Sequence, residues 1–335
     1  AIQVTARDAF GNTATSFLNN ITVAITGGTG TPGAVLSGTR TVGAVAGVAT
    51  FSTLSIDKSG AGYTLTATAS GLTGAISTAF TINPGPASRL GFTVQPSNMA
   101  AGATITPAVR VAAQDAFGNT VTNFNTNVTV AIAVNPGGGT LAGTKTVATS
   151  AGVATFSTLS IDKSGVGYRL AATASGLAPD TSAAFSIAAG AATRLAFAVQ
   201  PTATIAGDVI SPAVRVTAQD NFGNTAPGFG GTITMAIANN PSGGVLSGTT
   251  SVAAVGGVAN FSNLSINKSG TGYTLRATAS GLTQTTSSAF NITASSATQL
   301  VFTAQPTSEA AGAPITPAIQ VTARDAFGNT ATSFL

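Results

Sequence analysis

At 335 residues the chain has room for two or three domains, and it contains no cysteine and no histidine. Only 7% of its residues are charged, against about 25% in an average soluble domain, and thirteen basic residues against nine acidic ones leave a net charge of +4. These figures exclude disulfides, thiol chemistry, an imidazole base and the common zinc ligands, and the lysines and arginines are too scattered to form a basic stripe for nucleic acid.

The sequence is periodic. Residues 1–18 recur letter for letter at 318–335, and the motif Asp-x-Phe-Gly-Asn begins at Asp8, Asp115, Asp220 and Asp325, in steps of 107, 105 and 105 residues. Tyr63, Tyr168 and Tyr273 mark a second motif, Gly-x-Gly-Tyr-x-Leu, at steps of 105. A regular period identifies a tandem array, and a unit of this size can bury its own core without stacking on its neighbours. The phase divides the chain into a unit at 1–84 that lacks its first strand, complete units at 87–189 and 192–294, and the first strands of another at 297–335. A window on a longer array is the expected explanation. The alternative is a head-to-tail polymer in which one end completes the domain of the next subunit.

Within the second unit, the stretch Leu90-Gly-Phe-Thr-Val-Gln-Pro96 alternates apolar with small or polar residues, the period of a half-buried strand, and Pro96 ends its pairing. The next predicted strand, from Pro107 to Gln114, turns Val109, Val111 and Ala113 inward and Arg110, Ala112 and Gln114 outward. Asp115-Ala-Phe-Gly-Asn119 closes it as a turn, because Asp bonds its own backbone two residues on, while Gly and Asn tolerate positive φ. Further strands are expected at 128–132, 140–147, 152–161, 167–175 and 182–187, separated by Gly- and Asp-rich turns. The first unit carries its two extra residues in the Gly-rich connection at 26–34, where insertions cost little. Seven short strands with no helical periodicity predict a β-sandwich.

Tyr168 opens the sixth strand, where the tyrosine-corner hydroxyl of an Ig-like sandwich bonds back to upstream backbone; Tyr63 and Tyr273 repeat it. Leu65, Leu170 and Leu275 stand two residues later, where antibody domains place a cysteine. About seven residues join the last strand of one unit to the first of the next. Linkers so short, one of them holding Pro84 and Pro86, predict a stiff extended rod.

The order Asp-x-x-Gly-Asn, Gly-Val-Ala-x-Phe-x-x-Leu, Gly-x-Gly-Tyr-x-Leu-x-Ala-x-Ala resembles the Ig-like repeats of bacterial surface adhesins of the invasin and intimin type. It is closer still to the repeat arrays of very large bacterial surface and extracellular-matrix proteins. The resemblance covers the whole chain and implies an all-β tandem array of Ig-like seven-stranded sandwiches. It also implies secretion, a cell-surface or extracellular position, and a non-enzymatic stalk or filament. The other function open to such repeats is adhesion, with loops gripping a glycan or a protein of a host or neighbouring cell.

No two of the nine acidic residues lie close in sequence, as a paired-carboxylate hydrolase would need them to converge, and no cofactor is expected. Ig topology brings Asp57 toward Asp115 and Asp162 toward Asp220 at successive junctions, which makes them candidate calcium ligands. Lys58 and Lys163 compete for the same aspartates, and Asn267 replaces the acid at the third junction. Phe10, Phe117, Phe222 and Phe327 are unusual residues for a turn; the expected role is a plug over the end of the unit's own core, the alternative a contact fixing the angle to the preceding unit. Asn20 and Asn127, at equivalent positions, head Asn-x-Thr sequons and are candidate glycosylation sites. No run of about twenty apolar residues spans a membrane. A surface with so little charge and exposed sheet edges predicts self-association of copies, side by side or end to end, into a fibre or sheath.

Overall fold

The computed structural model describes residues 1–333, and every regular element among them is a β-strand. Among the described residues no helix is long and apolar enough to cross a membrane. The second unit shows the architecture in full. Its strands are β1 (Arg89–Val94), β2 (Met99–Ala100), β3 (Val109–Gln114), β4 (Asn127–Val134), β5 (Leu141–Ala142), β6 (Thr146–Ala148), β7 (Val153–Phe156), β8 (Ser160–Ile161), β9 (Gly165–Thr173), β10 (Asp180–Thr181) and β11 (Phe185–Ala188).

One sheet has the order β1-β3-β7 and the other β2-β11-β9-β4-β6, with β10 beside β9 and a short β5-β8 ladder between them. All pairings are antiparallel except β2 with β11. The third unit repeats the arrangement, with Arg194–Val199, Val214–Gln219 and Val258–Phe261 in its smaller sheet. In the first unit, Ile2–Thr5 corresponds to β3 and pairs with Val48–Phe51. Residues 297–333 form one hairpin, Gln299–Ala304 against Gln320–Arg324.

The alternation in the sequence becomes the inside and outside of each sandwich. Val109 and Val111 on one sheet and Val128 and Val130 on the other are almost wholly buried, while Thr129 between the latter two is exposed. Each complete unit has a separate apolar core, in the second built around Phe156, Leu159, Ile161, Tyr168 and Leu170. Burial of such side chains, at roughly 1.5–3 kcal/mol each, is the main force holding a unit together.

Three strand predictions need correction. Ala112 was expected on the outer face but is fully buried. It pairs with Gly91, and the Gln114 side chain folds over that glycine, whose Cβ would stand 2.5 Å from Gln114 Oε1. The stretch at 140–147 is not one strand but two, β5 and β6, with different partners. Gly143, at φ +92°, breaks it where a Cβ would lie 2.2 Å from the Thr158 carbonyl oxygen. The stretch at 152–161 divides correspondingly into β7 and β8.

Candidate functional site at the junction between repeats

The Asp-x-Phe-Gly-Asn corner is seen alone at Asp8. One carboxylate oxygen accepts the amides of Phe10 (3.0 Å) and Asn12 (2.8 Å), and the other accepts Asn12 Nδ2 (3.1 Å). The main chain closes the same loop from Asp8 N to Asn12 O at 2.9 Å. Gly11 sits at φ +87° and its counterparts Gly118, Gly223 and Gly328 at +85°, +82° and +79°, a region that disfavours any side chain. The motif is therefore a self-contained turn.

At the other three copies it also grips the chain before it. Asp115 receives a fourth donor from the linker, Gly85 N at 2.9 Å; Asp220 receives Gly190 N at 2.9 Å and Asp325 receives Ser295 N at 3.0 Å. Four N–H groups fill the four acceptor positions of a carboxylate. Burial pushes the Asp220 carboxyl up, but the bonds from the Asn224 side chain and from the amides of Gly190, Asn224 and Phe222 outweigh it and hold the group below its usual range. Asp115 and Asp325 are lowered against burial in the same way. At exposed Asp8 the Asn12 side chain is the leading cause of a lowered value.

The asparagine reaches across the junction. Asn119 Oδ1 accepts Ser59 N (2.9 Å) while Nδ2 donates to Asp57 O (2.8 Å) and to Asp115 Oδ2 (2.8 Å). Asn224 does the same with Ser164 N, Asp162 O and Asp220, and Asn329 with Ser269 N, Asn267 O and Asp325. Lys58, Lys163 and Lys268 donate to the carbonyls of Phe117, Phe222 and Phe327. The turn so gripped is also held from inside its own unit: the hydroxyls of Tyr63, Tyr168 and Tyr273 donate to Lys58 O, Lys163 O and Lys268 O at 2.8, 2.9 and 3.0 Å.

The corner phenylalanine does not plug its own core. Phe10 is 91% exposed on its unit, Phe117 62%, Phe222 42% and Phe327 40%. The last two rings lie on glycines of the preceding unit: a Cβ at Gly102 would be 2.2 Å from the Phe222 ring, and one at Gly207 would be 2.4 Å from that of Phe327. Contact with the preceding unit is the role the geometry supports, because a planar ring beside a bare glycine can approach backbone closely.

Asp57 and Asp115 meet at one junction, as do Asp162 and Asp220, where Asn119 and Asn224 bridge the backbone carbonyl of the first aspartate to the carboxylate of the second. The Asp57 carboxylate accepts Val35 N at 2.7 Å and that of Asp162 accepts Thr140 N at 2.6 Å. Asn267 performs this task with its amide oxygen on Val245 N at 2.8 Å, which is why the acid can be absent there. Among the described residues no three His, Cys, Asp or Glu side chains cluster as metal ligands. A cation would have to displace amide donors already aimed at these oxygens, so adding a chelator is expected to leave the thermal midpoint unchanged; a fall in calorimetry would place an ion at the junction. Asn20 and Asn127 are exposed, each the first residue of its strand. Intact mass would reveal a glycan on either.

Sequence reading placed the tyrosines and the corner aspartates but missed the asparagines, the serine amides and the glycine seats. The signal was there: all four corners end in Asn, where a turn alone would also accept Gly or Asp.

No family model matches the chain, and no curated protein does. Solved structures similar to it include the Escherichia coli adhesin FdeC, at 18% identity and TM-score 0.32 over 87% of this chain and 90% of that one. Invasin, a bacterial integrin-binding protein, matches at 15% and 0.31 over 90% and 58%, and domains 4–9 of the surface layer protein SbsC at 17% and 0.24 over 90% and 43%. The fold assignment rests on strand order and pairing. With a three-stranded sheet facing a larger one and a parallel edge in both complete units, and a backward-bonding tyrosine in each of the first three, the chain is a tandem array of Ig-like β-sandwiches.

Proposed function

We propose that this chain is a non-enzymatic stalk segment of a bacterial cell-surface or extracellular protein, a stiff rod whose units serve as spacers and whose copies associate along their length. The observation that carries this reading is the junction itself. The same linker amide, corner carboxylate, asparagine and upstream turn are bonded together three times over. Independent domains on a flexible tether have no need of such a set, whereas a spacer that must hold its length does. Lateral association is supported by the composition, since a chain with only 7% charged residues offers little repulsion between neighbours. Where a stalk of this kind meets another cell or its matrix, the partner is a protein or a surface glycan.

Negative-stain microscopy of the full chain tests the spacer, with unit-to-unit angles expected in a narrow distribution; a freely jointed chain would refute it. Sedimentation over a range of concentrations tests the association, and a monomer at the highest concentration would remove that part alone.

A further inference from the structure

We propose that each corner asparagine is a cap acting in trans, so that a unit reaches its full stability only when the unit following it has folded. This holds wherever the array is displayed and does not depend on the stalk reading. The inference comes from how the donors and acceptors of one short turn are divided. In the second unit the turn at 162–164 gives its middle carbonyl, Lys163 O, to its own Tyr168 hydroxyl. The flanking groups, Asp162 O and Ser164 N, are both taken by Asn224 of the third unit, at 2.9 and 3.0 Å. The Lys163 side chain meanwhile donates to Phe222 O across the same boundary.

The backbone that anchors Tyr168, a fully buried core side chain, is thus completed from outside the unit. The first and second units share this division through Asn119, Asp57 and Ser59, and the third unit and residues 297–333 share it through Asn329, Asn267 and Ser269. The dependence is directional. The corner is a closed turn without its neighbour, as Asp8 to Asn12 shows, whereas the upstream turn has two polar backbone groups satisfied only by the downstream asparagine. During synthesis each unit therefore emerges incompletely bonded and is locked by its successor.

Asn12 provides the internal control, because it makes the same bonds to its own aspartate as the other asparagines do. Hydrogen exchange is measured on the full chain carrying Asn224→Ala or Asn12→Ala. In Asn224→Ala, exchange over 162–165 and the start of β9 should accelerate about tenfold or more, while the strand Val214–Gln219 of the third unit stays protected. Asn12→Ala should leave the turns at 57–59, 162–164 and 267–269 as protected as in the parent chain. Protection lost only in the third unit, or equal in size for the two variants, would overturn the proposal. If Asn224→Ala unfolds the third unit outright, the turn at 162–165 must still lose protection; a turn that stays protected beside an unfolded neighbour would overturn it equally.

Discussion

Tyr168→Ala is expected to destabilise the second unit by about 3–5 kcal/mol, a large part of what a domain of this size possesses. The side chain is fully buried and its ring lies 6.0 Å from that of Phe185, across the pairing of β9 with β11. Truncation removes the largest side chain at the end of the core and strips the Lys163 carbonyl of its partner. Burial pushes the hydroxyl's pKa up, so it remains a donor through neutral and mildly alkaline pH. Tyr168→Phe keeps the ring and loses only the bond, for about 1–2 kcal/mol. Because each unit has its own core, urea unfolding of the full chain should resolve one unit's share of the signal moving to lower denaturant, with the first unit following by a smaller step as it loses Asn119 and the remainder nearly in place. If the whole transition moved together, the units would be one cooperative block.

How much of this was legible in advance depends on the range over which each residue acts. Val109, Val111 and Ala113 declare their inward face because alternation is a local property of a strand. Tyr168 was legible because its partner lies only five residues upstream. Asn224 was not, because its partners lie 60 and 62 residues away in another unit, and one local turn explains an asparagine well enough. Phe222 was misjudged for the same reason: its seat is Gly102, and a glycine advertises nothing about what rests on it. The paired aspartates were read as neighbours, and each pair does stand at one junction. Amide donors contributed by the linker and the loops, which no spacing rule reveals, take up their oxygens.

The second large effect is at Asp220. Asp220→Asn should cost the junction about 2–4 kcal/mol, because the amide nitrogen that replaces one oxygen would face donors that need an acceptor. Whichever way the new side chain is turned, two of the four N–H groups of Gly190, Phe222 and Asn224 lose theirs. The pH dependence identifies the charge as the cause. The carboxyl titrates lower in the folded chain than its ordinary 3.8, so its contribution is complete above that value and is lost as the pH falls through the lower folded one. The stability gap between the parent chain and Asp220→Asn should therefore be widest near neutral pH and narrow below about pH 4. Denaturation curves taken down the acid range, with hydrogen exchange at Gly190 as the local probe, measure the gap. A gap that stays constant would mean that shape, and not the carboxylate's charge, holds the linker to the corner.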